Sequence, residues 1–539
     1  MKDKLEAIFD DALSMVVKYS TDNSINIRSK SVKVMHDIAE TSPEILTRPF
    51  VMNIIRTRLN DQSSLVRDSA LDFLYHFMLL NEKVLQQYFF VLSEKSYDAG
   101  LNVRKKVIKI LQDLYIHITE NSMKVFTFTT LLHRLSDTDK GVVELAAKAL
   151  KELLFYPLDT SSMKKDASVN QIPTSTKKIF NENIMYFAKG LYGLESFHEA
   201  FFQSIQKKEI YLFDLLIESS FESLSEIKED HIPLLQMLFE FSGYFCQNWF
   251  HHLDFLLEFI QNPKSPENAI IICLKIVNCI LTNIKREFEA MDDFEKSLSD
   301  LIRRGKENII SAAFETLCTM TEHCSQHYDR IFQLFEQFYH YLSSDVNASR
   351  IGNRRALFSL SCLCRFMNLD NCMNHFSTSN QVKMKKFLSS DSSIMNKIFD
   401  LFAKYVEIAK NNENLFPAAV HAFTIGYVLG RNSSEKFSQL FNSIFASAND
   451  SVKVIVMKAL NLFFTRSKPA NLCEKDSSFI EVSFEVSDDD IQKTFIVQTF
   501  LGKLMKSALT CSKIFLLELM IMIDQAIKEG SFHPQTVIS

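Results

Sequence analysis

The feature that most restricts the fold of this chain is a short motif that recurs in its first part. The motif is an Asp, four intervening residues, an aliphatic residue and, in most copies, an Arg. Its copies read DNSINIR, DQSSLVR, DAGLNVR and DTDKGVV, and they begin at Asp22, Asp61, Asp98 and Asp137. The spacings between their first residues are 39, 37 and 39. A motif that returns at a nearly constant interval indicates a repeat architecture.

A period of about 40 residues is typical of HEAT-type repeats, in which each repeat is a pair of helices. The motif Asp suits the cap at the start of a helix, and the aliphatic residue begins the buried face of that helix. One helix pair cannot bury its apolar face alone, so the pairs must stack. The 539 residues include only 11 Gly and 10 Pro, too few turn formers for many short strands. The sequence therefore predicts an all-α, curved HEAT-repeat solenoid.

The charged residues of the motif predict a ladder of ion pairs along the stack. Each motif Arg follows its Asp by six residues, so its side chain can reach acids in neighbouring turns. We expect Asp61, Arg67, Asp98 and Arg104 to form this ladder, and we favour this structural role over ligand binding. The fourth copy has Val143 in place of the Arg, so its connection to the ladder is open.

The periodicity and the polar breaks predict five segments. Regular repeats are expected in residues 1–156, a polar loop or linker in 157–182, and degenerate repeats in 183–342. A loop-rich connection containing one helix is expected in 343–393, followed by C-terminal repeats in 394–539.

The signatures of common enzyme classes are missing from the sequence. It has no GxxxxGK[ST] loop, no GxGxxG fingerprint and no GxSxG elbow. His323 and His327 lie four residues apart, but no third ligand accompanies them, so we expect no metal centre. The longest apolar run, Ile514 to Ile523, has ten residues and contains Glu518. A membrane span needs about 20 residues, so we expect no membrane segment. The missing motifs lead us to expect no enzyme and no cofactor.

A cluster of lysines on one predicted helix is the main candidate for a binding surface. After Arg104, apolar residues such as Val107 fall on one face of the helix, and Lys105, Lys106 and Lys109 fall on the opposite face. The formal net charge of the chain is −5, so any contact with nucleic acid must be a local patch.

The first repeat places lysines at equivalent positions. Lys30 and Lys33 have the same offsets from their motif Arg as Lys106 and Lys109 have from theirs. Equivalent positions line one surface of a solenoid, so these lysines can form an interrupted basic stripe. From the spacing alone, an ordinary solvated face is favoured over a phosphate-binding stripe.

Five segments in order along the chain resemble one known family. The most specific is DAGLNVRKKVIKILQDLY, which begins at Asp98. The others are PEILTRPFVMNIIRTRLNDQSSLVRDSALDFL from Pro43, LLHRLSDTDKGVVELAAKALKELLFYP from Leu131, NRRALFSLSCLCRFMNLD from Asn353 and EGSFHP from Glu529. Together they resemble the HEAT core of cohesin loaders, the Nipped-B or sister-chromatid-cohesion loader family, over nearly the whole chain.

The resemblance implies a hook-shaped helical solenoid in the nucleus, bound to chromatin. Members of the family help to place cohesin, an SMC ATPase ring closed by a kleisin, onto double-stranded DNA. They contact DNA and cohesin and stimulate ATP hydrolysis by the SMC heads, without being the ATPase. The resemblance therefore implies a cohesin loader subunit that acts in sister chromatid cohesion and chromatin organisation.

The resemblance also favours the lysine cluster as a DNA contact. Lys105 and Lys106 directly follow the motif Arg in the best-matched segment, so they are the first candidates. The further candidates are Lys30, Lys33, Lys109, Arg354 and Arg355.

Two departures from the family limit what the resemblance implies. Family members usually have a long N-terminal region that binds the partner subunit of the loader, and they continue with more repeats beyond EGSFHP. This chain shows neither region, so we do not expect it to bind the partner subunit. A second interpretation stays open, that of a HEAT scaffold that binds only proteins, such as a condensin-like accessory subunit or a transport or phosphatase adaptor.

Overall fold

The computed structural model describes most of the chain. The described residues are 2–42, 44–45, 48–158, 171–194, 201–202, 211–226, 231–284, 288–344, 346–347, 352–388, 393–429, 434–447, 449–464 and 499–528. They form helices joined by turns, and none of these described residues lies in a strand. The predicted all-α class is therefore confirmed. Within the same ranges, no helix is long and apolar enough to cross a membrane.

The chain forms two compact units, Met1–Glu240 and Phe241–Ser539. The helices of the first unit are α1 (Lys2–Tyr19), α2 (Ile25–Thr41), α3 (Pro49–Leu59), α4 (Ser64–Leu80), α5 (Glu82–Tyr88), α6 (Val91–Ser96), α7 (Leu101–Leu114), α8 (Asn121–Arg134), α9 (Lys140–Phe155), α10 (Thr174–Leu191), α11 (Tyr211–Glu226) and α12 (Ile232–Phe245), within which the second unit begins.

The first unit is a stack of helix pairs in which the motif occupies the turn within each pair. Helix α1 pairs with α2, α3 with α4, α6 with α7 and α8 with α9. The second helices of neighbouring pairs pack against one another in the order α2, α4, α7 and α9. They form one layer, as expected for stacked HEAT repeats.

Apolar residues at helical spacing hold this layer together. In α7, Val103, Val107 and Leu111 are completely buried, and Ile108 between them is buried as well. Because α7 has a packed helix on each side, its buried face is wider than a single stripe.

The motif Asp does not cap its helix, so the prediction of an N-cap at this position is wrong. The cap residue of α4 is Ser63, two residues after the motif Asp. The Asp61 carboxylate accepts a hydrogen bond from the Ser63 backbone N–H at 2.9 Å. In the third copy of the motif, the Gly100 backbone N–H donates in the same way to the Asp98 carboxylate at 2.7 Å. The short polar side chain therefore shapes the turn before the helix, which is the usual role of Asp in an Asx-turn.

The second unit is a further stack of helix pairs. Its helices are α13 (Leu253–Gln261), α14 (Glu267–Ile284), α15 (Met291–Arg304), α16 (Glu307–Met320), α17 (Tyr328–Ser344), α18 (Asn353–Phe366), α19 (Thr378–Leu388), α20 (Ile394–Ala409), α21 (Phe416–Leu429), α22 (Ser434–Ser447), α23 (Asp450–Phe464), α24 (499–508) and α25 (Lys513–Lys528). A layer of contacting helices runs through α14, α16, α18, α21, α23 and α25.

The structure corrects two of the predicted segments. The polar loop predicted for 157–182 does not extend to residue 182, because α10 begins at Thr174, directly after a proline that suits a helix start, and buries Phe180. The connection predicted for 343–393 contains two helices, α18 and α19, and not one. Helix α19 buries only Met384, so its apolar pattern is too weak to predict a helix from sequence. Residues 466–490, within the C-terminal repeats expected for 394–539, and the EGSFHP segment lie outside the described residues.

Candidate nucleic-acid interface

The motif Arg of each repeat reaches the motif Asp of the next repeat. In the second repeat, Arg67 donates from Nε and Nη2 to the two carboxylate oxygens of Asp98, at 2.7 and 2.5 Å. Its Nη1 donates to the backbone carbonyl of its own motif residue, Asp61, at 2.7 Å. One planar guanidinium therefore ties together two successive turns, and its fork geometry matches the carboxylate.

Each pair of a motif Arg and the motif Asp of the next repeat is one rung of the ladder, and the rungs on both sides of Arg67–Asp98 have the same arrangement. Arg28 donates to the two carboxylate oxygens of Asp61 at 2.9 and 2.8 Å. Arg104 donates from Nη2 to Asp137 at 3.1 Å, and its Nε lies 3.0 Å from the other carboxylate oxygen. The fourth Asp therefore closes the ladder even though its own copy of the motif lacks an Arg.

The ladder is almost closed to solvent. The side chain of Arg67 is 12% exposed and that of Asp98 is 6% exposed. Burial raises the pKa of the Asp98 carboxyl, but hydrogen bonds from Arg67 and from the Gly100 N–H, together with nearby positive charge, outweigh it. The pKa of Asp98 is lowered as a result. The pKa of Asp61 and that of Asp137 are lowered by the same balance of causes.

A second cation supports two of the rungs, and the sequence reasoning missed it. Arg58 donates to Asp61 at 2.7 Å, and Arg134 donates to Asp137 at 3.0 Å. Both arginines stand three residues before their Asp, at the end of the first helix of the pair. Aligning the motif copies with three preceding residues reveals this signal, since Lys95 holds the same position before Asp98.

The predicted exposure of Lys106 is wrong. Its ammonium donates to the carboxylates of Asp68 and Asp72, at 2.7 and 2.6 Å, and its side chain is only 24% exposed. Both acids are on α4, the helix that packs beside α7. Angles on an isolated helix point Lys106 away from the core, but in the stack that direction faces the neighbouring helix. Asp72 holds the position in the second repeat that Lys109 holds in the third, so the basic stripe is interrupted there by a partner of Lys106.

Lys105 points to the opposite neighbour. Its ammonium lies 3.6 Å from the carboxylate of Asp139, the cap residue of α9, and its side chain is 35% exposed. A side chain at Gly141 would meet this ammonium, since a Cβ built there lies 2.7 Å from Nζ. Lys105 therefore lies across the start of α9, where the glycine leaves room for it.

The remaining candidates differ in how available they are. Lys30, Lys33 and Lys109 are exposed on α2 and α7. In the second unit, Arg354 is 58% exposed and binds Glu307 at 2.9 Å. Arg355 is half-buried and donates to the backbone carbonyl of Ile302 at 3.1 Å, so it is not an available surface cation as predicted. Its position at the start of α18 places it between α18 and α15, where it satisfies a helix-end carbonyl.

Comparison with known proteins adds an independent observation. The family described as "HEAT repeat associated with sister chromatid cohesion" matches residues 37–74. The Nipped-B-like protein of Mus musculus is 24% identical over 496 residues, which cover 84% of this chain and 17% of that protein. The sister chromatid cohesion protein mis4 of Schizosaccharomyces pombe is 28% identical over 146 residues, or 27% of this chain and 9% of that protein.

The chain is similar to the Nipped-B-like proteins over most of its length.

The resemblance inferred from the sequence segments is therefore confirmed. The C-terminal fragment of the cohesin loader SCC2 from Chaetomium thermophilum has the same fold, with a TM-score of 0.73 and 16% identity. The match covers 98% of this chain and 39% of that one. The chain spans 17–20% of the length of the Nipped-B-like relatives that it matches over most of its own length.

The residues matched by the family model contribute one partner to each of two rungs, since Asp61 accepts from Arg28 and Arg67 donates to Asp98. They run from the second half of α2 through α3 into α4, and they include Arg58, Asp61 and Arg67. The matched segment therefore spans residues that join one repeat to the next.

Proposed function

We propose that this chain acts as a cohesin loader subunit in the nucleus, where it contacts DNA and cohesin and stimulates ATP hydrolysis by the SMC heads. The observation that carries the proposal is the similarity, over 496 residues, to the Nipped-B-like protein of Mus musculus. The role in cohesion is supported by the names of further relatives, the sister chromatid cohesion proteins of two yeasts. In this proposal the chain supplies binding surfaces, and cohesin supplies the catalysis.

The proposed DNA surface differs from the one favoured by the sequence. Lys30, Lys33 and Lys109 are exposed, so their ammonium groups can approach phosphates without first losing a carboxylate partner. Lys105 and Lys106 can contribute only by exchanging an acid for a phosphate. Lysine is a flexible point charge that binds phosphate and reads bases poorly. The proposed contact is therefore electrostatic and independent of DNA sequence.

The test is the rate of ATP hydrolysis by purified cohesin with and without this chain, each in the presence and absence of DNA. We expect the chain to raise the rate, and DNA to raise it further. A chain carrying Lys30→Glu, Lys33→Glu and Lys109→Glu should lose the DNA-dependent part of the stimulation and keep the rest. A rate that the wild-type chain does not change, with or without DNA, contradicts the proposal.

The carboxylate partners of Lys105 and Lys106 favour a second candidate function, a scaffold that binds only proteins. In that case the lysines of α7 are ties between repeats, and no DNA path crosses this face. The two functions differ in the salt dependence of DNA binding, because phosphate contacts release counterions. An absence of measurable DNA affinity at low salt, together with binding to cohesin, supports the scaffold.

A further inference from the structure

Two histidines and a glutamate meet at the interface between the first two repeats. His36 and Glu40 lie one turn apart on α2, and His76 lies on the adjacent helix α4. The Nε2 atoms of both histidines face one oxygen of Glu40, at 4.0 Å from His36 and 3.9 Å from His76. One ligand atom from each residue can be chosen so that all three lie within 4.8 Å of one another.

The packing of α2 on α4 fixes this meeting. The hydroxyls of Ser29 and Ser69 share a hydrogen bond of 2.8 Å inside the same interface. His36 and His76 each stand seven residues further along their helices, which is two helical turns. They therefore face each other across the same contact line. The sequence reasoning missed the cluster because its ligands are 40 residues apart and belong to different repeats.

The two imidazole rings are held against buried aromatic residues. Their centroids are 5.0 Å apart, and the ring of His76 packs edge-on against Phe77, with the centroids 5.3 Å apart. The ring of Phe73 lies edge-on to that of His36, with the centroids 6.3 Å apart, and both phenylalanines are completely buried. The rings are thus oriented by rigid neighbours.

The chemistry of the three groups suits a transition-metal cation. We propose that His36, Glu40 and His76 bind one divalent first-row metal ion, for which Zn²⁺ is the probe. Imidazole nitrogen and carboxylate oxygen are normal zinc ligands, with bonds of about 2.0–2.2 Å and ligand atoms about 3.4 Å apart in a tetrahedral site. The distances of 3.9 and 4.0 Å to the Glu40 oxygen need only small side-chain rotations to reach that geometry.

Two further features fit a metal site. The Nδ1 atom of His36 lies 3.5 Å from a carboxylate oxygen of Asp37, which leaves Nε2 for the metal, as is usual for ligating histidines. The side chain of Glu40 is 48% exposed, so a fourth position is accessible to water. Among the described residues, the ion-pair partners of Glu40 are the two histidines, with no lysine or arginine beside it.

A second cluster on the chain shows why a neighbouring arginine makes a metal site unfavourable. Asp292, Glu295 and His327 also bring three ligand atoms together. There, however, Arg330 binds Glu295 at 2.7 Å and Asp292 at 3.1 Å. A guanidinium already supplies the positive charge, and it would oppose a cation. The cluster of His36, Glu40 and His76 has no such competitor in the described part of the chain.

The experiment is a calorimetric titration of Zn²⁺ into the full chain after treatment with a chelator and desalting. His36→Ala, His76→Ala and Glu40→Gln are compared with His117→Ala, which removes an exposed histidine elsewhere in the first unit. We expect one equivalent of zinc to bind the wild type and His117→Ala with the same affinity. Each of the three ligand variants should weaken this binding by about 10–100-fold or more.

Thermal unfolding gives a second measurement. Zinc should raise the midpoint of the wild type, because a ligand that binds only the folded state stabilises it. The rise should disappear in Glu40→Gln, which changes an exposed side chain and should fold normally. Mg²⁺ should have no effect, since it prefers oxygen ligands. The proposal is overturned if the wild type does not bind zinc, or if all three ligand variants bind it as tightly as the wild type.

Discussion

The guanidinium of each motif Arg joins residues that are far apart in the sequence. Arg67 bonds to the carbonyl of Asp61 in its own turn and to the carboxylate of Asp98, 31 residues later. The acid is then held from several directions, since the Gly100 N–H also donates to it at 2.7 Å. A carboxylate with this many donors stays ionised although it is 6% exposed. The loss in the free energy of unfolding when one partner is removed therefore depends on which other partners of the carboxylate remain.

That dependence gives a prediction for two arginine variants. Arg67→Ala should lower the free energy of unfolding by about 3 kcal/mol, because the nearly buried Asp98 is left without its arginine. Arg104→Ala should cost less, about 1–3 kcal/mol, because Arg134 still donates to Asp137 at 3.0 Å. The measurement is chemical unfolding of both variants, with the exposed Lys109→Ala as the control, for which a change within about 0.5 kcal/mol is expected. Equal stability of all three variants would show that the ladder does not contribute.

At the scale of the helix, the three lysines of α7 differ in their surroundings, since two of them contact neighbouring helices and the third faces solvent. Lys106 is bound by two acids of α4, and Lys105 lies beside the cap of α9, whereas Lys109 is exposed. The helix therefore has two lateral edges that contact its neighbours and only a narrow strip that faces solvent.

This difference can be tested with two charge reversals. Lys106→Glu should lower stability by about 1–2 kcal/mol, because it places a third acid beside Asp68 and Asp72. Lys109→Glu should leave stability within about 0.5 kcal/mol of the wild type and should weaken DNA binding, reducing the salt slope by about 1. Thermal unfolding and a DNA titration at several salt concentrations measure both effects. The assignment of Lys109 to the DNA face fails if its reversal leaves the affinity and the slope unchanged.

The two helix edges also show how far the sequence alone could lead. The stack of helix pairs follows from local signals, namely the period of the motif and the apolar spacing in helices such as α7. Local signals do not reveal which side chains lie on either side of a helix, because those side chains depend on which helices become neighbours. For this reason the wheel angles of Lys106 predicted solvent where the structure has Asp68 and Asp72. The metal-ligand cluster at His36 and His76 was missed for the same reason.

At the scale of the whole molecule, the ladder belongs to the first unit. All of its acids, from Asp61 to Asp137, precede the boundary at Glu240. These carboxylates have a lowered pKa in the folded chain, while in the unfolded chain an Asp titrates at about 3.9. The unfolded state therefore binds more protons in this acidic range, and stability must rise with pH there.

The sign of the effect leads to a prediction about Asp98. Its contribution is fully present above about pH 4–5, where the unfolded carboxyl is ionised, and is lost as the pH falls through the lower folded pKa. Asp98→Asn should therefore have a lower thermal midpoint than the wild type at pH 7. The gap between the two midpoints should shrink steadily as the pH is lowered toward 3.

The control is Asp11→Asn, which changes an exposed acid in the interior of α1, outside the ladder. Its midpoint should follow that of the wild type at every pH. Circular dichroism recorded during heating measures all three chains, and the comparison between chains removes acid effects that they share. If the gap for Asp98→Asn stays constant down to pH 3, the carboxylate of Asp98 does not stabilise the fold through its charge. The bond from Arg67 would then act through geometry alone.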